Sequence, residues 1–169
     1  MHLTRRQFAI ATTAAAIAPA RAQSFPSKPI TIVVGFAAGG GIDFVMRSLA
    51  PGLQQRLGQT VVVDNRPGAG GTLAAAHVAK AAPDGYTLLP GDAATLALNG
   101  ALFSKLPYDP AELAPVSMVI RAPMVIVAHP SAPYADLRGL IDHAKRQPGG
   151  VSYASPGNGT MHQLAMELL

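Results

Sequence analysis

The chain has 169 residues, 49% of them hydrophobic and only 13% charged, a balance that buries a core and excludes a disordered tail or linker. Its formal charge of +4 overstates its basicity, because three of the thirteen cationic residues, Arg5, Arg6 and Arg21, lie in the first 22 positions. The remainder sets ten cations against nine anions, which removes the electrostatic basis for a nucleic-acid or membrane-surface role, and the lack of cysteine excludes disulfides, thiol nucleophiles and cysteine-ligated metals within the sequence.

Residues 1–22 have the grammar of an export signal: Arg5 and Arg6, an alanine-rich apolar stretch over 8–18, then the small-x-small pattern Ala20-Arg21-Ala22. The mature chain is expected to begin at Gln23. Thr4-Arg5-Arg6-Gln7-Phe8 matches the core of a twin-arginine signal, whereas Ala9 and Ile10 depart from the Leu-Lys that often follows, so twin-arginine and Sec routes both stay open. The apolar stretch is well short of the roughly 20 residues that span a bilayer. A soluble periplasmic address follows.

Residues 30–34 form a β-branched apolar run without alternation, which predicts a strand covered on both faces in a parallel sheet. Gly39-Gly40-Gly41 end it. The stripe Ile42, Met46, Leu49, Leu53 and Leu57 falls at steps of three and four and predicts a helix, with a kink expected at Pro51 and a stop at Gly58. A second strand is predicted over 60–63, an alanine-rich helix over 73–82, and a third strand over 86–89 after the turn Pro83-Asp84-Gly85. Strands alternating with helices imply a parallel sheet, so the turns at 35–41, 65–71 and 91–94 all open on one edge.

The pattern changes at Leu106-Pro107-Tyr108-Asp109-Pro110, read as the passage into a second lobe. Two apolar strands, 116–120 and 124–128, are predicted there with no helix between them. Asp136 is the expected N-cap of a helix with the stripe Leu137, Leu140, Ile141 and Ala144, ending at Pro148-Gly149-Gly150. Residues 151–154 then lead through Ser155-Pro156-Gly157-Asn158-Gly159-Thr160 into another helical start. The final Leu168-Leu169 reads as the opening turns of a helix, the pattern of an N-terminal portion of a longer protein.

Backbone N–H groups at a helix start are unsatisfied and point outward, so a glycine loop there accepts a carboxylate or phosphate without a cationic side chain. Gly39, Gly40 and Gly41 are candidates for that task; a single such loop serves equally well as a tight turn, and it is the convergence of several at one edge that favours a site. Asp64, at the end of the second strand, stands where a ribose-binding acid would be, but G-x-G-x-x-G read from Gly39 puts Phe44 at the third glycine. No Lys-Ser or Lys-Thr follows Gly40, so the P-loop pattern fails as well. Asp43 falls in the first helical turn, where the helix dipole favours a carboxylate by roughly 0.3 to 1 kcal/mol, and it is kept as a candidate site residue. The histidines show no H-E-x-x-H spacing, and Ser155 precedes Pro-Gly-Asn-Gly rather than standing in a nucleophile elbow. No catalytic triad, metal set or cofactor site is assembled.

The residues met so far recur together in one family. Pro26-Ser27-Lys28-Pro29-Ile30, Phe36 with Ala38-Gly39-Gly40 and Asp43, Asn65-Arg66-Pro67-Gly68-Ala69-Gly70-Gly71, Ala82-Pro83-Asp84-Gly85-Tyr86-Thr87-Leu88, Leu106-Pro107-Tyr108-Asp109-Pro110 and Tyr153-Ala154-Ser155 with Gly157-Asn158-Gly159-Thr160 run in its order. On these motifs the chain resembles the substrate-binding receptors of tripartite tricarboxylate transporters, the Bug family, over essentially the whole mature chain. The resemblance implies a type II-like periplasmic binding protein of α/β class. It has two lobes with mainly parallel sheets, truncated here, because complete members continue for a comparable further length.

The domains implied are the signal 1–22, a first lobe beginning at 23–105, and an incomplete second lobe at 106–169. The implied function is non-enzymatic: capture of a small organic carboxylate by a monomer that delivers it to membrane permease subunits. Candidate ligand-binding residues are Phe36, Ala38, Gly39, Gly40 and Asp43, Asp92 and Ala93, and Ser155, Gly157, Asn158, Gly159 and Thr160. Gly35 stands where the family often has proline, and Gln163 where it more often has histidine. The alternatives are an exported nucleotide-binding or hydrolytic α/β enzyme, and a fragment that binds nothing.

Overall fold

The computed structural model describes residues 24–169, so the expected export signal lies outside the described residues. Three strands, β1 (Ile30–Val34), β2 (Val61–Asn65) and β3 (Thr87–Leu88), form a parallel sheet in the order β2-β1-β3. Ile30 pairs with Val61 and Val34 with Asn65, while Thr31 and Ile32 pair with Thr87 and Leu88. The central β1 buries Ile32, Val33 and Val34, as its unalternating apolar run requires of a strand covered on both faces. The second strand starts and ends slightly later than its apolar run, and the third keeps only two ladder residues.

Helix α1 (Gly41–Leu57) connects β1 to β2, and its Met46 packs on Ile32 and Val34 with Ile42, Val45, Val61, Val63 and Leu88 around them. The helix continues through Pro51 as one element and stops at Gly58, whose φ of 67° is the left-handed cap. Seventeen helical residues span about 26 Å, against about 16 Å for a five-residue strand, so α1 overhangs the sheet. Leu49 and Leu53 lie on the overhang and stay 39% and 36% exposed.

A tight turn at Ala69–Gly71 leads into α2 (Thr72–Ala79). Its Ala75 and Ala76 pack against Tyr108, with Leu89, Leu106 and Leu113 alongside, so the proline-rich stretch after residue 105 still lies on α2. Small side chains there permit close approach. Tyr108 is buried, and its hydroxyl donates to the Thr95 carbonyl at 2.6 Å. After β3 the chain makes a wide helical turn, Ala94–Leu98, that runs into α3 (Asn99–Leu102). The arm before β1 is fastened to the start of β3: Ser27 N–H donates to the Tyr86 hydroxyl at 2.7 Å, and Lys28 pairs with Asp84 at 2.8 Å while lying 4.4 Å over the Tyr86 ring.

Beyond residue 113 the expectations hold for helices and fail for strands. Helix α4 (Leu137–Arg146) starts at Asp136, whose carboxylate accepts the Gly139 N–H at 2.7 Å, and α5 (Met161–Glu167) starts at Thr160. The predicted strands 116–120 and 124–128 are not strands: no ladder partner faces them among the described residues. Val116, Val125 and Val127 are 84%, 73% and 83% exposed. A helix closes its hydrogen bonds within its own sequence, whereas a strand exists only beside another.

Candidate functional site

The parallel ladder brings the turns after β1, β2 and β3 to the carboxyl edge of the sheet, where crevices of α/β proteins hold ligands. The first turn is organised by Asp43. Its carboxylate is only 3% exposed and takes Arg47 Nε at 3.0 Å, the Gly39 N–H at 2.8 Å and Asn65 Nδ2 at 2.9 Å. Arg47 foremost, then the Gly39 N–H and Asn65, hold its pKa down at about 2. Every bond made by Asp43 is internal. It shapes the turn from behind.

Three of the turn's carbonyls are likewise occupied. Phe36 C=O accepts from Asn65 Nδ2 at 3.1 Å, Ala37 C=O from Gly40 N–H at 3.3 Å, and Gly40 C=O from Phe44 N–H at 2.9 Å. Among the described residues the N–H groups of Ala37, Ala38, Gly41, Ile42 and Asp43 have no acceptor, and the Ala38 and Gly39 carbonyls have no donor. Ala38, Gly39 and Gly40 are exposed, and the free donors of this rim of α1 outnumber its free acceptors.

The turn after β2 forms the floor. Gly71 has φ 86°, and a Cβ there would stand 2.8 Å from Thr95 Cγ2 and 3.7 Å from the Phe36 ring, so only glycine lets the three segments close up. Behind Thr95, Asp92 and Thr95 hold each other reciprocally: the carboxylate accepts from Thr95 N–H at 2.9 Å, and Thr95 Oγ1 accepts from Asp92 N–H at 3.0 Å. Asp92 therefore caps the wide helical turn, and Ala93 beside it is exposed. Asp64, the would-be ribose acid, is paired with Arg66 at 2.8 Å.

The loop at 155–160 meets this floor at Gly70, where a Cβ would lie 3.2 Å from the Asn158 carbonyl; a Cβ at Gly159 would lie 3.6 Å from the Phe103 ring. Its construction repeats that of the first turn. Gly39 and Gly159 each stand two positions before a helix, with φ 84° and 79°, and each N–H is accepted by the side chain four residues on: Asp43 at 2.8 Å and Gln163 at 2.8 Å. Thr160 is buried and bonds the Gly157 carbonyl at 2.7 Å, and Ser155 Oγ accepts from Gly157 N–H at 3.3 Å. The structure thus gathers Phe36, Asp92 and Ala93 around Gly71 and Thr95, and brings Asn158 and Gly159 to Gly70.

Arg47, Asn65 and Gln163 are not among the residues expected at the site from the sequence. Acid and base four apart on a helix marked Arg47, and the Thr-x-x-Gln spacing of a capping box marked Gln163. Nothing local marked Asn65, whose partners are 22 and 29 positions away. A separate concavity of about 680 Å³ lies between the extended residues 124–130 and α4. Two of its polar side chains are committed, His129 to Ser131 at 2.7 Å and Asp136 to the α4 cap, and the groove is the flank of an unpaired segment.

Residues 45–169 match the sequence profile of the tripartite tricarboxylate transporter family receptor. The chain belongs to that receptor family. BugT of Bordetella pertussis (strain Tohama I) is 43% identical over 158 residues, 92% of this chain and 48% of its own length. The chain spans about half the length of the curated relatives it matches. Among solved structures, the periplasmic binding protein BugD superposes with a TM-score of 0.77 at 37% identity, covering 85% of this chain and 48% of that one. R. palustris Rpa4515 with adipate gives 0.70 at 32% identity over 85% and 48%, and MatC from Rhodopseudomonas palustris with bound malate gives 0.67 at 40% over 72% and 42%. The receptor's fold is therefore that of the periplasmic binding proteins, α/β with a parallel sheet. Among the described residues no helix is long and apolar enough to cross a membrane, and no group of three His, Asp or Glu side chains could hold a metal ion.

Proposed function

We propose that this receptor chain forms one jaw and the beginning of the other in a periplasmic protein that captures a small organic carboxylate and delivers it to the membrane subunits of a tripartite transporter. The first of its lobes includes residues 23–105 together with the stretch through Leu113 that packs on α2, and the remaining residues begin the second. The observation that carries the reading is the pair of similarly built glycine turns brought to neighbouring glycines of one floor, the Phe36 turn to Gly71 and the 155–160 loop to Gly70. On the first, five N–H groups lack an acceptor among the described residues, and a carboxylate satisfies such donors without a cationic side chain. The ligand is met by Phe36, Ala38, Gly39 and Gly40, by Asp92 and Ala93 at the floor, and by Ser155, Gly157, Asn158, Gly159 and Thr160 opposite. Asp43 acts from behind the rim, because an unpaired carboxylate facing the ligand would repel it.

The likeness to receptors solved with adipate and malate makes dicarboxylates the first class to try. Calorimetric titration of the purified protein with malate, adipate, tricarboxylates and acidic amino acids, and with ATP and NAD as counter-ligands, tests the reading. Saturable heat with at least one carboxylate and none with the nucleotides is expected. Silence with every carboxylate would sink it.

A further inference from the structure

Asn65 is the last residue of β2, and none of its hydrogen bonds is local. One side chain touches three separate parts of the rim: Nδ2 donates to the Phe36 carbonyl at 3.1 Å and to Asp43 Oδ1 at 2.9 Å, and Oδ1 accepts from Arg47 Nη2 at 2.7 Å. Asp43 in turn accepts the Gly39 N–H at 2.8 Å and both of its oxygens take Arg47 Nε at 3.0 Å. The backbone consequence is specific. A peptide plane has two faces of opposite polarity, so fixing the Phe36 carbonyl inward fixes the attached Ala37 N–H on the other side of that plane. If the plane turned over, one more carbonyl oxygen would join a rim at which, among the described residues, the free N–H groups of Ala38, Gly41, Ile42 and Asp43 outnumber the free carbonyls of Ala38 and Gly39, and it would repel an anion there.

We propose that Asn65, held by Arg47, is a positioning residue for anion recognition: it touches no ligand, and it sets the polarity of the rim by binding the Phe36 carbonyl and Asp43 together. This rests on the receptor reading above. Aspartate at position 65 keeps the shape and the Arg47 bond, but it replaces the donor with an acceptor that faces both the Phe36 carbonyl and Asp43. Asparagine at position 43 then supplies a donor to the carboxylate introduced at position 65 and still accepts the Gly39 N–H, yet leaves the Phe36 carbonyl without a donor. Stability and recognition are thereby separable.

The test compares the wild-type protein, Asn65→Asp and the exchange Asp43→Asn/Asn65→Asp. Each is measured by thermal unfolding and by titration with malate and adipate well below the unfolding temperature. Asn65→Asp is expected to lower the unfolding temperature and to weaken binding about tenfold or more, the loss of roughly one charge-assisted hydrogen bond at the rim. The exchange is expected to recover most of the unfolding temperature and little of the affinity. Affinity that recovers in step with stability, or never falls, overturns the proposal, since a role confined to holding β2 would move both together. A ligand-independent arm reads the Ala37 and Ala38 amide resonances, which must shift in Asn65→Asp; unchanged resonances also overturn it, even where the wild type binds neither acid and the receptor reading itself has failed. Should Asn65→Asp not fold, Asn65→Ser, too short to reach the Phe36 carbonyl, takes its place in both arms.

Discussion

Gly71 and Asp43 show how much of the site depends on single atoms. Alanine at position 71 meets two penalties at once, a left-handed φ of 86° and a Cβ 2.8 Å from Cγ2 of the buried Thr95. Gly71→Ala is expected to cost about 2 to 3 kcal/mol, visible as a lower urea midpoint at an unchanged slope. An unaltered midpoint would mean that the floor yields. Asp43 makes its contribution through charge, and the sign follows from its depressed pKa. The carboxylate ionises near 2 in the folded protein and near its ordinary 3.8 when unfolded, so the stability it supplies is complete above the ordinary value and is lost as pH falls through about 2. Wild-type stability is therefore expected to decline between about pH 4 and pH 2, and Asp43→Asn to flatten that decline while starting lower at neutral pH. Asp84, lowered chiefly by its bond to Lys28, adds a smaller acid-sensitive share that the substitution leaves in place. Parallel wild-type and Asp43→Asn curves would remove Asp43 from the account.

Among the elements, the helices and turns were legible because their hydrogen bonds close locally. The α1 stripe, the two glycine turns and the cap at Asp136 rest on neighbours within about five positions, which is why periodicity and turn chemistry found them, while β1 was legible from its unalternating apolar run although its ladder partners Val61 and Thr87 lie far along the chain. Residues 116–120 and 124–128 have the composition of strands and the surroundings of coil, because a strand needs a partner brought beside it and none lies beside them among the described residues. The site divides in the same way. Its glycines could be named from order alone, whereas the joining of Gly70 to Asn158 and of Asn65 to Phe36 is a property of the ladder and of tertiary contact between distant loops. The caps give an element-scale prediction. Thr160→Ala deletes the hydroxyl that accepts from Gln163 N–H and donates to the Gly157 carbonyl, and is expected to cost about 1 kcal/mol, with faster amide exchange confined to residues 157–164. Exchange that quickens throughout α1 as well would mean that the two turns are not independent units.

For the whole molecule the telling contrast is between the two parts of the chain. Around β1 the apolar side chains are covered on both sides, and Val33 and Val34 are fully buried. Across 116–127, Val116, Met118, Val119, Ile120, Met124, Val125, Ile126 and Val127 are all about half exposed or more, in backbone that leaves its N–H and C=O groups without a ladder. Burying such side chains is worth roughly 1.5 to 3 kcal/mol each, so a surface of this kind is a standing sink for apolar probes. An apolar dye such as anilinonaphthalene sulfonate is therefore expected to fluoresce strongly with the native protein, before any unfolding. Val125→Lys/Val127→Lys should cut that emission substantially while moving the unfolding free energy by no more than about 0.5 kcal/mol, because neither valine is part of the packed core. A dark native protein would show that 116–127 is covered in solution. A large loss of stability on substitution would show that these valines pack on the folded lobe.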